Sequence, residues 1–207
     1  MSAVGVSATV TIDAPGATVV LRGLLVKGSG APGVHGIFVE DAAAVHNTGC
    51  EVEGFAGAGI AVSPASAEIF VSGTVVRNSG RGFLGGGRTT VENSRFENNV
   101  DDGIQISVNA ARAAITGVAA SGNGTNGSFV AGNNVTVTIE ASLASNNGDA
   151  GLRVSTGVVS VSNSAFTGSS GGFGLQRTGG TLYSRGNNTV HSNAVDVSGT
   201  ITPLAGK

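Results

Sequence analysis

Asp101-Asp102, followed by Gly103-Ile104, is the one place where this sequence sets two aspartates side by side. Two carboxyl groups flanking a glycosidic bond can act as acid and base or nucleophile, provided their separation suits the reaction. Asp101 and Asp102 are therefore the candidate catalytic residues. Little else has the spacing that chemistry needs. His35, His46 and His191 are far apart, and no Ser-His-Asp arrangement can be assembled. No group of residues has metal-ligand spacing, so neither a metal nor another cofactor is expected. A calcium site from Asn146, Asn147 and Asp149 is conceivable from its oxygens, but one carboxylate is a thin basis for it. Cys50 is the only cysteine, which leaves no internal disulfide and suits a small buried side chain better than a nucleophile.

What must position Asp101 and Asp102 is a repeat. A glycine followed by apolar-x-apolar recurs at Gly36, Gly59, Gly82, Gly103, Gly127, Gly151 and Gly174, at intervals of 23, 23, 21, 24, 24 and 23 residues. Periods of this size belong to solenoids. The chain lacks the leucine frame of leucine-rich repeats, and Gly, Ser, Asn, Thr and Val are poor helix formers. Three short strands and three turns per coil fit both the length and the composition. Side chains alternate faces along a strand, so inward columns can be listed. The first sheet gives Ile37, Ile60, Phe83, Ile104, Ser128, Leu152 and Leu175. The second gives Val19, Val45, Ile69, Thr89, Ala113, Val137 and Val159, and beside it a column in which Asn47 interrupts an apolar series. The third gives Val26, Val52, Val76, Phe96, Ala120, Ala144, Phe166 and Val190. Seven to eight coils at about 4.8 Å each make a rod of roughly 35–40 Å.

The Asn-Ser-x-Phe-x-Asn-Asn segment at 93–99 and the Gly-Ile-x-Ile segment at 103–106 carry a resemblance to the right-handed parallel β-helix repeat family, the architecture of pectate lyases and polygalacturonases. The resemblance covers about residues 17–195 and is nearer to bacterial β-helix repeat proteins of unassigned function. It implies an all-β, single-stranded right-handed parallel β-helix, a single domain over residues 1–207. Residues 1–16 would form an N-terminal coil or edge, 17–195 the repeats and 196–207 a C-terminal tail, with the register after Gly174 open. It also implies an exported or surface-associated protein, although no signal peptide is visible. Polygalacturonases carry an Asp-Asp pair at a comparable place, which Asp101 and Asp102 match. Their further Gly-His-Gly and Arg-x-Lys elements have no counterpart here: the next coil has Thr125-Asn126-Gly127.

The frame assigns ordinary roles to most charged and polar residues. Arg81 lies in the column of Asp102, so an ion pair is expected there, leaving Asp101 without a partner. Lys27, Glu53, Arg77 and Glu97 alternate in sign down one outward column, which reads as a ladder between coils. Asn99, Asn123 and Asn147, with Asn193 beyond, share a turn column and can bond along it. Asn47 is expected to bulge its coil locally. The outward column of the first sheet is Phe38, Ala61, Leu84, Gln105, Phe129, Arg153 and Gln176. Of these, Phe38, Leu84, Gln105, Phe129 and Arg153 are the candidate binding residues, unless the Pro203-containing tail covers them.

Net charge is −2 with no basic stripe, which argues against nucleic acid, and no apolar run is long enough to span a membrane. The expected function is a non-catalytic β-helix that binds carbohydrate or a protein partner along the first sheet. The alternative is a lyase, glycoside hydrolase or epimerase acting on polysaccharide through Asp101 and Asp102. Val4, Val6, Val10 and Ile12 begin β-like at once, so homo-oligomerisation through the N-terminal coil is also expected.

Overall fold

The computed structural model describes residues 10–30, 32, 34–63 and 67–204. All of its regular structure is strand, and all the pairing is parallel. The third sheet has one strand per coil, eight in all, from Leu25–Lys27 to Thr189–His191. The first and second sheets join, because Val10–Arg22 and Ile37–Thr48 run round the corner between them unbroken. The fold is an all-β parallel solenoid of about eight coils.

Parallel strands must keep step, and they do. Ile37, Ile60, Phe83, Ile104, Ser128, Leu152 and Leu175 pair in succession, as the glycine spacing requires. The inward columns of all three sheets fill one apolar core, with Phe83, Phe96, Ile104 and Leu152 fully buried. The register also continues past Gly174. Leu182 pairs with Val159, and Val190 with Phe166. Val195–Ser198 and Ile201–Pro203 add strands to the first and second sheets, so the Pro203 segment does not lie across the first-sheet strip. Asn47 causes no bulge: the pairing of Ala44–Thr48 with Glu68–Ser72 is unbroken, and the irregularities fall at Ile12/Asp13 and Ala14/Thr18 instead. Thr74 Oγ1 donates to Asn47 Oδ1 at 3.2 Å, while Asn47 Nδ2 is buried without a partner. Val4 and Val6 lie outside the described residues; Val10 and Ile12 pair with Ile37 and Val39.

The repeating glycine is there for space. A Cβ at Gly103 would sit 2.7 Å from the carbonyl oxygen of Gly127, and one at Gly127 would sit 2.6 Å from that of Gly151. Real side chains do not approach backbone so closely, so this column admits only glycine. The corner between the second and third sheets is two residues long in most coils. Its first residue has positive φ: Gly49, Gly73, Asn93, Gly117, Ala141 and Asn163. Gly and Asn tolerate that conformation; Ala141, at φ 49°, does not do so readily. The second corner residue turns inward and ties coils together: Cys50 N–H donates to Thr74 Oγ1, Thr74 N–H to Ser94 Oγ, and Ser142 N–H to Ser164 Oγ.

The opposite corner carries the asparagine ladder. Asn123 Oδ1 accepts from Asn99 N at 3.1 Å and Nδ2 at 3.0 Å, and Asn123 Nδ2 donates to Asn147 Oδ1 and to the Phe96 carbonyl. Left-handed backbone is found one residue earlier, at Asn98, Gly122 and Asn146. Ser169 takes the next step, and its N–H donates to Asn193 Oδ1 at 3.0 Å. On the outside of the third sheet, Lys27 Nζ lies 2.6 Å from Glu53 and Arg77 lies 2.7 Å from Glu53. Glu97 does not join them; it turns to Arg95 on its own strand at 3.6 Å, because Arg77 is occupied by Glu51 and Glu53.

Four outcomes follow from this geometry. Asn123→Ala should destabilise by about 3 kcal/mol in urea unfolding, since buried donors and acceptors on both sides lose partners. Asn187→Ala, which breaks the exposed pair with Asn163, should cost less than about 1 kcal/mol. Ala141→Gly should raise the melting temperature, because relief of about 1–2 kcal/mol of left-handed strain exceeds the ~0.5–1 kcal/mol entropy cost of glycine. Glu53 is held below its ordinary value of 4.5, first by its hydrogen-bonded pair with Lys27 and then by Arg77, against burial that acts the other way. A depressed carboxyl stabilises the fold above that ordinary value, and the contribution is lost as pH falls through the folded value. The stability gap between wild type and Glu53→Gln should therefore be wide at neutral pH and close in acid, read from urea midpoints.

Candidate functional site

The strands of the first sheet set Phe38, Ala61, Leu84, Gln105, Phe129, Arg153 and Gln176 in one outward column, each beside the next. Phe38, Leu84, Gln105, Phe129 and Arg153 are all half-buried. Asp101, Thr125 and Asp149 each stand two places before a repeating glycine, at the edge of this sheet and half-buried, whereas Asp102 and Asn126, one place before it, are buried.

The two aspartates have exchanged their expected roles. Arg81 is in register with Asp102, yet its guanidinium pairs with Asp101, Nη2 to Oδ2 at 3.0 Å. Asp102 is only 5% exposed, and its Oδ1 accepts from Thr125 Oγ1, from Asn126 Nδ2 at 2.7 Å and from Asn126 N at 3.2 Å. Two backbone-anchored neighbours from the following coil thus hold Asp102 inward, and the outward carboxylate is the one the arginine can reach. Asp101 therefore has a partner, contrary to the expectation from the columns.

A second cation–anion unit stands further along. Arg153 Nη1 lies 3.1 Å from Asp149 Oδ2, and its guanidinium carbon lies 5.8 Å from the centre of the Phe129 ring. Cation and ring attract through the negative π face. Gln105 Nε2 donates to Ser107 Oγ at 3.2 Å. At the far end His35 packs against Phe38 with ring centres 5.6 Å apart, and its Nδ1 accepts from Ala58 N–H, which leaves Nε2 to carry the ring proton.

Sequence reasoning missed His35, Thr125 and Asn126 as parts of this surface. The signal was present: all three immediately precede the repeating glycine or stand one place earlier. Asn147 and Asp149 do not converge on a cation, because Asn147 Oδ1 accepts from Asn123 and Asp149 holds Arg153. Among the described residues no cluster of three or more His, Cys, Asp or Glu could hold a metal.

Six buried side-chain polar atoms have no partner among the described residues, and four of them belong to this face: Arg81 Nε, Asn126 Oδ1, Arg153 Nε and Gln176 Oε1. Buried polar groups are seldom left so, and their concentration on one face sets that face apart from the rest of the solenoid.

No curated protein and no solved structure matches the chain. A family profile described as a right-handed beta helix region matches residues 16–166, well over half of the sequence. With the parallel coils and their columns in place, that match means the chain belongs to the right-handed β-helix family.

Proposed function

We propose that the outer face of the first sheet binds an extended polysaccharide and does not cleave it. The observation that carries this reading is the spacing of the apolar groups. Phe38, Leu84 and Phe129 stand on every second coil of the strip, with Ala61 and Gln105 between them. Coils are about 4.8 Å apart, so an apolar group recurs every ~9.6 Å along the axis. A sugar ring with its bridging oxygen spans about 5 Å, given bonds near 1.5 Å, and a chain of alternating rings repeats one face at about twice that distance. An extended peptide repeats a face every ~6.7 Å and falls out of step. The C–H face of a sugar suits the negative face of an aromatic ring, and its hydroxyls suit the half-exposed polar groups of Gln105, Arg81 and Asp101.

The carboxylates favour binding over catalysis. Asp101 is paired with Arg81, and Asp102 is buried and tied to Thr125 and Asn126, so both carboxylates are engaged by the fold itself. Both pairs offer fixed polar groups that orient a ligand. An enzyme working through Asp101 and Asp102 remains the second reading, and one experiment separates the two.

Soluble 1,4-linked polysaccharides, neutral and uronic, are titrated into the full chain by calorimetry, and the same mixtures are followed for new reducing ends or unsaturated products. Phe38→Ala and Phe129→Ala should each weaken binding about tenfold, near 1.4 kcal/mol, with no turnover by any variant. Unchanged affinity in both alanine variants would sink the proposal. So would cleavage by wild type that disappears in Asp101→Asn, which would establish the enzyme instead.

A further inference from the structure

The outer face of the second sheet is independent of the site above and has an odd charge arrangement. Three outward columns run along it. The central one is His46, Phe70, Thr90, Ala114, Thr138, Ser160 and Tyr183, aromatic at both ends and small in the middle. One rim carries Glu68, Arg88 and Arg112 on successive coils, and the other carries Glu92, Thr116 and Glu140. The register is unbroken across these strands, so the columns are straight.

Arg88 and Arg112 are therefore direct neighbours of like charge, an arrangement that costs stability between adjacent strands. Glu68 answers only Arg88, at 3.0 Å. Arg112 has no ion pair among the described residues, nor have Glu92 and Glu140; Glu140 has only the Asn163 amide, at 3.3 Å. Cations and acids cannot meet within one chain, because four residues of strand, about 13 Å, separate the rims. Between Arg88, Arg112 and the small floor residues Thr90, Ala114 and Thr138 lies a shallow depression of about 290 Å³.

We infer that this face docks a second copy of the chain, side by side and in the same direction, about a two-fold axis parallel to the solenoid axis. Such a rotation keeps each coil at its height and exchanges the rims. Arg88 then faces Glu92 of the second copy, and Arg112 sits between the second copy's Glu92 and Glu140, in the depression. Thr90, Ala114, Thr138 and Ser160 meet their own counterparts, and their small size permits close approach of the two sheets. The other two-fold, parallel to the strands, would set arginine rim against arginine rim and is disfavoured. The face measures about 16 Å by 29 Å, some 480 Å² per copy. That is below the ~800 Å² per partner of a standard stable interface, so the dimer is weak and concentration-dependent.

Sedimentation velocity of the full chain over a range of concentrations tests this. Wild type should dimerise reversibly in low salt, and dissociate as salt is raised past about 0.5 M. Arg88→Glu combined with Arg112→Glu should weaken the dimer at least tenfold. Adding Glu92→Arg and Glu140→Arg to those two in the same chain should restore it, because every cross-copy pair is then reversed and intact. Far-UV circular dichroism checks that each variant is folded, and all four positions are exposed. A wild type that stays monomeric at millimolar concentration overturns the inference. A dimer indifferent to the double reversal also overturns it, as does a folded quadruple variant that stays monomeric.

Discussion

Everything in this protein depends on one constraint: a parallel sheet bonds each coil to the next residue by residue, so the coils must keep the same step. A residue added inside a strand would turn a buried column outward for that coil. Length can vary only at corners that tolerate it. The corner between the second and third sheets holds to two residues over seven coils, with a left-handed residue followed by one that is Thr or Ser in four of them. The irregular intervals of the repeating glycine, from 21 to 24 residues, are absorbed at the other two corners. The asparagine ladder runs along one of these. It fixes the residue where the chain re-enters the third-to-first turn, and lets the segments beyond it, such as 100–102 and 148–149, differ from coil to coil. The site borders are built from those segments. The rigid part of the corner makes the variable part available for function.

That constraint explains what was legible in the sequence. Inward columns could be written down from spacing because backbone register alone decides them. The glycine column was visible for the same reason, although its cause, a carbonyl oxygen of the next coil under 3 Å from any added Cβ, needed coordinates. Ion pairs were less legible. Arg81 and Asp102 do share a column, but an arginine reaches several ångströms past its own backbone, and Asp102 had stronger suitors in Thr125 and Asn126. Glu97 was assigned to Arg77 by the same logic, and was lost to Arg95 because Arg77 was already engaged twice. Register predicts neighbours; it does not predict which of several neighbours a long side chain selects. The register after Gly174 was open for a different reason: the corner after Ser184 is four residues long instead of two, so the usual spacing between the second and third sheets is broken there.

The fold alone does not assign a function, since the same solenoid can carry many sites. Function shows instead in departures from what folding requires. On the third sheet Lys27, Glu53 and Arg77 alternate, as adjacent strands ask. On the first sheet the outward strip is apolar at alternate coils, and four of the six unpartnered buried polar atoms among the described residues collect beside it. Internal stability gains nothing from that arrangement. It is intelligible as a surface fitted to something with hydroxyl groups and flat faces on a period of two coils.

The second sheet departs in the opposite way. Its neighbouring cations and unanswered acids violate the pairing rule that the third sheet obeys, and the floor between them is too small-chained to bury anything by itself. Two arginines side by side repel at a separation of one coil spacing, and a single glutamate offsets only part of that. A random surface would place such charges without correlation between the rims. Here Arg88 and Arg112 occupy one rim on two successive coils, and Glu92 and Glu140 occupy the other on the coil of Arg88 and the coil beyond Arg112, so cations and acids interleave when the face meets its own rotated image. The two faces thus deviate from the solenoid's internal rules in chemically different directions. That difference is why they are read as surfaces for different partners: one for a ligand of alternating rings, the other for a second copy of the chain.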